Sequence, residues 1–335
     1  MDRPEPRRSD PIPTTLITGG AGYIGCLLAD ELLSRGREVR VLDSLLHGQE
    51  DRAAELEARG VRLFRADVRD ADVRDEALRG VDEVVHLAAI VGDPACARDP
   101  ELADAVNVDG SRALAAAARD AGAQRFVFAS TCSNYGRMAD PTVPITEEGE
   151  LAPVSLYARQ KVAVETALLA GEFAPLTVTC LRFATVYGVA PRMRFDLTVN
   201  EFTRDLWADR ALEVFGEQFW RPYVHVRDAA RGVATVLDAD DALVAGEVFN
   251  VGRSGENYRK LDLIEVIRER TDSGTVSFVP RSEDPRDYKV SFDKVRERLG
   301  FETLHTVPDG VSELLAALDD GQFEDPWDVR YRNIP

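Results

Sequence analysis

In the first half of the chain, short unbroken apolar runs alternate with stretches whose apolar positions recur every three or four residues. The runs near 14–18, 38–42, 61–65, 82–87, 125–130 and 176–182 predict strands buried on both faces. Between them, Ile24, Leu27, Leu28, Leu32 and Leu33 recur at helical spacing within Tyr23–Ser34. Ala103, Val106, Leu114 and Ala117 do so over 100–119, and Val162, Val164, Ala167 and Leu168 over 155–170. Such alternation predicts an α/β fold built on a doubly wound parallel sheet. After Gly188 the pattern breaks up, and arginines and aromatics become denser. The expected division is a charged, proline-rich disordered tail over 1–13 and a sheet domain over 14–188. A smaller C-terminal α/β domain over mainly 189–320 would grip the substrate. A polar tail over 321–335 would cover a partner subunit or fray.

The first predicted strand runs into Thr18-Gly19-Gly20-Ala21-Gly22-Tyr23-Ile24-Gly25. Gly19 permits the tight turn, Gly22 leaves room for a pyrophosphate at the helix N-terminus, and Gly25 lets the helix pack close to the strand. The spacing is Gly-x-x-Gly-x-x-Gly. A glycine-rich turn alone is common and often only structural. Asp43 ends the second strand, about 20 residues past the loop, where a carboxylate bonds adenosine ribose hydroxyls. It would repel a 2′-phosphate, so the pattern favours NAD over NADP. The alternative is a solvated loop acid. Asp67 and Val68, after the third strand, are candidate adenine contacts, with a helix cap as the other reading.

Tyr157 and Lys161 are four apart and share one helix face. Thr131 lies upstream, at the end of a strand. A phenol is a poor base at neutral pH, and an adjacent ammonium favours its ionised form. Tyr157 is thus the candidate base for a substrate hydroxyl whose carbon loses hydride to NAD. Thr131 would bond the same oxygen, and Lys161 would also bond the nicotinamide ribose. Most Tyr/Lys pairs at this spacing are surface residues. This chain, however, has only four lysines, at 161, 260, 289 and 294, and lysine and arginine are not interchangeable.

The glycine loop, Asp43, His86-Leu87-Ala88-Ala89, Asn107, Thr131 to Gly136, and Tyr157/Lys161 follow one order and spacing. The chain resembles the extended short-chain dehydrogenase/reductases that act as nucleotide-sugar epimerases and dehydratases, from about Thr15 to about Leu318. The resemblance implies a Rossmann domain holding NAD tightly through Gly19, Gly22, Tyr23, Ile24, Gly25, Asp43, Asp67, Val68, Leu87, Ala88, Ala89, Asn107, Tyr157 and Lys161. It implies a smaller domain that grips a nucleoside diphosphate sugar, and a homodimer paired through the two alanine-rich helices. Burial of those faces within one chain is the alternative. Leu181–Gly188 resembles the family's strand at the domain junction. Arg221 and Arg286, in Phe215–Arg221 and Asp284–Asp287, resemble its diphosphate contacts; guanidinium forks suit so dense an anion.

The departures bear on the reaction. The family's 4,6-dehydratases carry Asp-Glu after the threonine, where this chain has Cys132 and Ser133. Its decarboxylases carry glutamate at the Ser133 position. Both reactions are therefore disfavoured. Cys132 reads as a structural cysteine. Many 4-epimerases have asparagine in place of Thr185. Ala89–Cys96, Pro191–Leu197 and Arg221–Asp228 look like a subgroup that oxidises C4 of nucleotide-linked heptoses. That likeness puts Gly92 and Asp93 beside the substrate and has Arg192, Arg194 and Asn200 face the nucleotide or the sugar; the wider family resemblance adds Thr131, Cys132, Ser133 and Thr185 to the substrate site. The expected activity is hydride transfer at C4 of a nucleotide-linked hexose or heptose in bacterial polysaccharide or antibiotic sugar biosynthesis, as a 4-epimerase or as a 4-dehydrogenase/ketoreductase. A 3,5-epimerase lacks an identified acid/base unless Cys132 serves. A non-catalytic NAD-binding protein would usually have lost Tyr157 or Lys161.

Composition excludes other classes. The net charge of −18 over 335 residues argues against nucleic acid and anionic membranes. No run approaches the about 18 apolar residues of a membrane span. Cys26, Cys96, Cys132 and Cys180 and the four histidines, at 47, 86, 225 and 305, show no metal-ligand spacing, so no metal is expected. His86 reads as a packed residue near the cofactor. The expected compartment is the cytoplasm.

Overall fold

The computed structural model describes residues 12–138, 140, 142–271, 274–279 and 286–333. Most of the expected N-terminal tail, and Asp284 and Pro285, lie outside the described residues. The chain opens as β1 Thr14–Thr18, α1 Gly25–Ser34, β2 Glu38–Asp43, α2 Glu50–Ala58, β3 Arg62–Arg65, α3 Ala71–Leu78 and β4 Glu83–His86. A nearly continuous helical stretch follows: α4 Asp93–Arg98, α5 Pro100–Asp104, a π-turn Ala105–Gly110, and α6 Ser111–Asp120. Then come β5 Arg125–Thr131, α7 Leu156–Leu169 and β6 Thr177–Phe183.

These strands form one parallel sheet with β3, β2, β1, β4, β5 and β6 as neighbours in that order. Every residue of β1 and β4 is buried, as expected for strands covered on both faces. The order reverses between β1 and β4. Their carboxyl ends therefore open a crevice, the usual ligand position of such sheets.

The second half supplies β7 Thr185–Tyr187, α8 Thr198–Trp207, β8 Leu212–Val214, β9 Trp220–His225, α9 Val226–Asp238, α10 Asp241–Val244 and β10 Glu247–Val251. It ends with β11 Asn257–Arg259, α11 Lys260–Arg268, β12 Val276–Phe278, α12 Asp293–Leu299 and α13 Val307–Asp319. The strand β10 is the seventh of the large sheet, parallel to β6, although it lies within the stretch assigned mainly to the substrate. Two small sheets, β11-β9-β7 and β12-β8, belong to the second half. Tyr23 and Cys26, at the start of α1, share one buried cluster with Tyr187, Phe195, Val199, Leu263 and Leu314. The two halves thus meet directly on the glycine loop.

Of the eight apolar residues expected on a dimer face, Ala103, Val106, Leu114, Val164, Ala167 and Leu168 are buried within the single chain. Ala117 and Val162 are partly exposed. The periodicity of these helices therefore reports mainly the chain's own core.

Candidate active site

The crevice deepens into a cavity of about 690 Å³ lined from both halves. At one end lies the glycine loop. Gly19 has φ +73°, and a Cβ there would stand 2.8 Å from the Ala88 backbone nitrogen. A Cβ on Gly25 would stand 2.2 Å from the Gly19 carbonyl oxygen. Only glycine fits at either position. Asp43 is buried; its Oδ2 accepts from Ala21 N (3.0 Å) and its Oδ1 from Leu45 N (2.9 Å). It fastens the loop to the end of β2, and burial holds its pKa above the ordinary value. Gly22, Tyr23, Ile24, Asp67, Val68, Leu87, Ala88 and Ala89 also line the cavity. This glycine cradle, capped by a helix N-terminus and flanked by an acid, fits a dinucleotide.

Asn107 is not brought to the cavity. It is buried on the π-turn, where its Oδ1 accepts from Ile90 N (2.8 Å) and its Nδ2 donates to Ile90 O (3.0 Å) and to Gln160 Oε1 (2.8 Å). It ties the loop after β4 to the helix bearing Tyr157. His86 is likewise structural, bonding Thr18 Oγ1 (2.6 Å) and Ser111 Oγ (2.8 Å). Burial pushes its pKa down to about 3.

Thr131, Tyr157 and Lys161 all line the cavity. Ser155 caps α7 by accepting from Ala158 N (3.2 Å), which fixes where the helix begins and hence where Tyr157 projects. Lys161 is buried. Its Nζ donates to Ala129 O (2.8 Å) and stands 4.6 Å from the Phe128 ring centre and 5.8 Å from that of Tyr157. Burial lowers its pKa to about 8. The Tyr157 phenol is pushed well above its usual value, chiefly by burial and then by Cys96 and Asp93, while Arg194 acts the other way. In the protein alone, desolvation outweighs the charges around the ring.

At the other end, Gly92, Asp93, Ser133, Thr185, Arg221 and Arg286 line the wall. Arg286 pairs with Asp93 (3.0 Å), and Arg221 lies over the Tyr288 ring (5.1 Å) and donates to Trp220 O (2.6 Å). Cys132 faces away, its thiol donating to Arg182 O (3.2 Å). Asn200 is fully buried, accepting from Gly188 N (2.9 Å) and donating to Arg194 O (2.8 Å) and Tyr23 OH (3.1 Å). Neither lines the cavity. Each is consumed in fastening backbone, a role a sequence pattern does not separate from ligand binding.

Arg192 and Arg194 do reach the cavity, but beside Asp43 and His47. Arg192 is buried. Desolvation lowers its pKa to about 10, Arg194 adds to this, and Asp196 and Asp43 oppose it. Arg194 forms two hydrogen bonds to Asp196 (3.0 and 2.7 Å). Sequence reasoning missed Ser130, His47, Asp196, Tyr223, Lys260, Tyr288 and Asn333, which share the lining. The scarcity of lysine could have flagged Lys260.

Beneath Thr131 lies a buried ion pair. Arg182 is paired with Glu165 and donates to Tyr135 OH (2.8 Å), and Ser130 Oγ donates to Glu165 Oε2 (2.6 Å). Replacing Glu165 by alanine would strand a buried guanidinium. The expected result is a loss of about 3 kcal/mol of stability in urea unfolding. A change under 1 kcal/mol would show that water or Tyr135 compensates.

The fold and the cavity define a nicotinamide-dinucleotide enzyme of the short-chain dehydrogenase/reductase type. The family model described as NAD dependent epimerase/dehydratase family matches residues 15–252, and the chain belongs to that family. It is 30% identical to a UDP-glucose 4-epimerase of Corynebacterium glutamicum, over 87% of this chain and 91% of that protein. It is 29% identical to UDP-glucuronic acid decarboxylase 1 of Arabidopsis thaliana, over 90% of this chain and 68% of that one. Among solved structures, the UDP-glucose 4-epimerase of Thermus thermophilus in complex with NAD superposes with a TM-score of 0.81 at 28% identity, covering 91% of this chain and 99% of that one. NAD is the cofactor of the family.

Proposed function

We propose that this chain transfers hydride at C4 of a nucleoside diphosphate sugar, as a 4-epimerase or as a 4-dehydrogenase/ketoreductase. One observation carries the reading: Thr131, Tyr157 and Lys161 share a single cavity with the glycine loop and with Arg221 and Arg286. When bound, NAD supplies the hydride acceptor. Tyr157 takes the proton of the C4 hydroxyl, Thr131 holds that oxygen, and Lys161 keeps an ammonium beside the phenol and bonds the nicotinamide ribose. A cation next to a phenol that burial has pushed up is what brings it back towards ionisation. Arg221 and Arg286 face the diphosphate, and Asp93 and Thr185 face the sugar. Arg192, near Asp43, is better suited to the cofactor's diphosphate than to the sugar.

The lack of a carboxylate at 132 and 133, with Cys132 turned away, weighs against dehydration and decarboxylation. The stretches around Asp93, Arg192 and Arg221 support a heptose as the alternative substrate to a hexose, and with it release of a keto sugar. Assembly as a homodimer belongs to the same proposal, supported by the resemblance and the partial exposure of Ala117 and Val162. Four buried free thiols support a reducing compartment, the cytoplasm. Among the described residues no helix is long and apolar enough to cross a membrane.

The test is one incubation in heavy water with NAD and a panel of nucleotide-linked hexoses and heptoses. A C4 epimer or C4 ketone free of solvent deuterium is expected. Deuterium at C3 or C5 would overturn direct C4 chemistry in favour of enolisation.

A further inference from the structure

The segment Phe323–Asn333 is pinned at three separate places, the third of them at the cofactor end of the cavity. First, the Trp327 ring lies under the Arg210 guanidinium (3.8 Å) and near that of Arg204 (5.2 Å), and its Nε1 donates to Asp205 Oδ1 (3.3 Å). Second, Phe323, Tyr331 and Phe195 form an edge-to-face triad with ring centres 5.0 to 5.8 Å apart. Third, the backbone of the last turn is bonded throughout. Phe195 N donates to Tyr331 O (2.8 Å), Arg192 Nη2 to Arg332 O (3.1 Å), and Asn333 N to Asp196 Oδ2 (3.2 Å).

These anchors deliver Asn333 into the lining shared with Asp43, His47, Arg192 and Arg194. His47, in the loop after β2, lines the cavity with this same group, and burial and the two arginines lower its pKa to about 4. The Asn333 Oδ1 and Arg192 Nε atoms are both buried, and neither has a hydrogen-bond partner among the described residues. Orphaned buried polar atoms are costly, and they point to a missing polar partner. On one side stands Asp43, placed for ribose hydroxyls. On the other stand an amide oxygen that accepts and a guanidinium that donates.

We propose that the segment Phe323–Asn333 is a strap over the adenosine end of NAD, with Asn333 bonding the adenosine and the Arg332 carbonyl holding Arg192 against the cofactor's anionic part. The glycine loop and α1 hold the dinucleotide from below, and the strap closes it from above. Release of NAD then requires the strap to lift, so the cofactor stays in place between turnovers. A cofactor that stays must be restored where it sits, which suits a redox-neutral epimerisation better than net oxidation. The inference rests on the reading of this cavity as the NAD site.

The experiment measures NAD dissociation from the loaded full-length protein by exchange against a fluorescent NAD analogue. It compares wild type, Asn333→Ala and a chain ending at Asp328, which keeps the Trp327 anchor. Asn333→Ala should speed dissociation by about fivefold, the effect of one lost hydrogen bond. The shortened chain should speed it by more than tenfold. Binding of UDP, the nucleotide carried by the relatives' sugars, should be unchanged in both. Should the shortened chain fail to fold, Asn333→Ala decides alone. Dissociation at the wild-type rate from Asn333→Ala, or an equal loss of UDP binding, overturns the strap. A wild-type protein that binds no NAD overturns the underlying site instead.

Discussion

Tyr157→Phe is expected to lower turnover of the nucleotide sugar by about 10³-fold while leaving NAD binding and stability near the wild-type values. As hydride leaves C4, the hydroxyl there must lose its proton, and the phenol oxygen is the group placed to take it. Thr131 is a weaker candidate, since an aliphatic hydroxyl is a far poorer base than a phenol and its Oγ1 already accepts from Ser133 N (3.1 Å). Burial raises the Tyr157 phenol, so the neutral form is the resting one. The ring contributes packing, and phenylalanine keeps that packing. A stopped assay with product identification, beside a binding titration with NAD, reads both quantities. Turnover within tenfold of wild type would reject Tyr157 as the base.

The first six strands were legible because parallel strands covered on both sides read as unbroken apolar runs, and the helices between them carry one apolar stripe each. The strand Glu247–Val251 was not. Its apolar content is ordinary, and its neighbour β6 lies some way back along the chain, beyond the strands β7, β8 and β9 of the small sheets. The glycine loop, Asp43 and the Tyr157/Lys161 pair were legible because their chemistry demands a fixed spacing. Asn107 and Asn200 carried the same polar signal as ligand contacts, yet both spend their amides on backbone groups and on Gln160 and Tyr23. Arg192 and Arg194 show a further limit. Cofactor and substrate each carry a diphosphate, so arginines chosen for such an anion do not reveal which one they face. Asn333 was invisible, because its place depends on aromatic contacts between Phe195, Phe323 and Tyr331 that join distant segments.

Lys161→Met is expected to move activity and stability in opposite directions. The ammonium is buried, and its pKa is lowered from 10.5 in the free side chain to about 8. The unfolded chain therefore binds this proton more tightly than the folded one. Below pH 8 both states are protonated, and the folded state carries the whole desolvation penalty. That penalty shrinks as the pH rises through 8 and is gone above 10.5. The shift corresponds to roughly 3 kcal/mol at neutral pH, as an upper bound. Methionine keeps the stem's packing against Phe128 but leaves the Ala129 carbonyl without its donor, which returns about 1 kcal/mol. The variant should thus be more stable than wild type by about 1–2 kcal/mol in urea at pH 7, with the gain fading at pH 10. Turnover should fall by at least about 10²-fold, since the phenol loses its neighbouring charge and the nicotinamide ribose loses a donor. Urea unfolding at both pH values, with turnover at pH 7, checks the pair of effects. A variant that is less stable by the same amount at both pH values would show that Lys161 is held by packing and hydrogen bonding, with no desolvation penalty retained for the reaction.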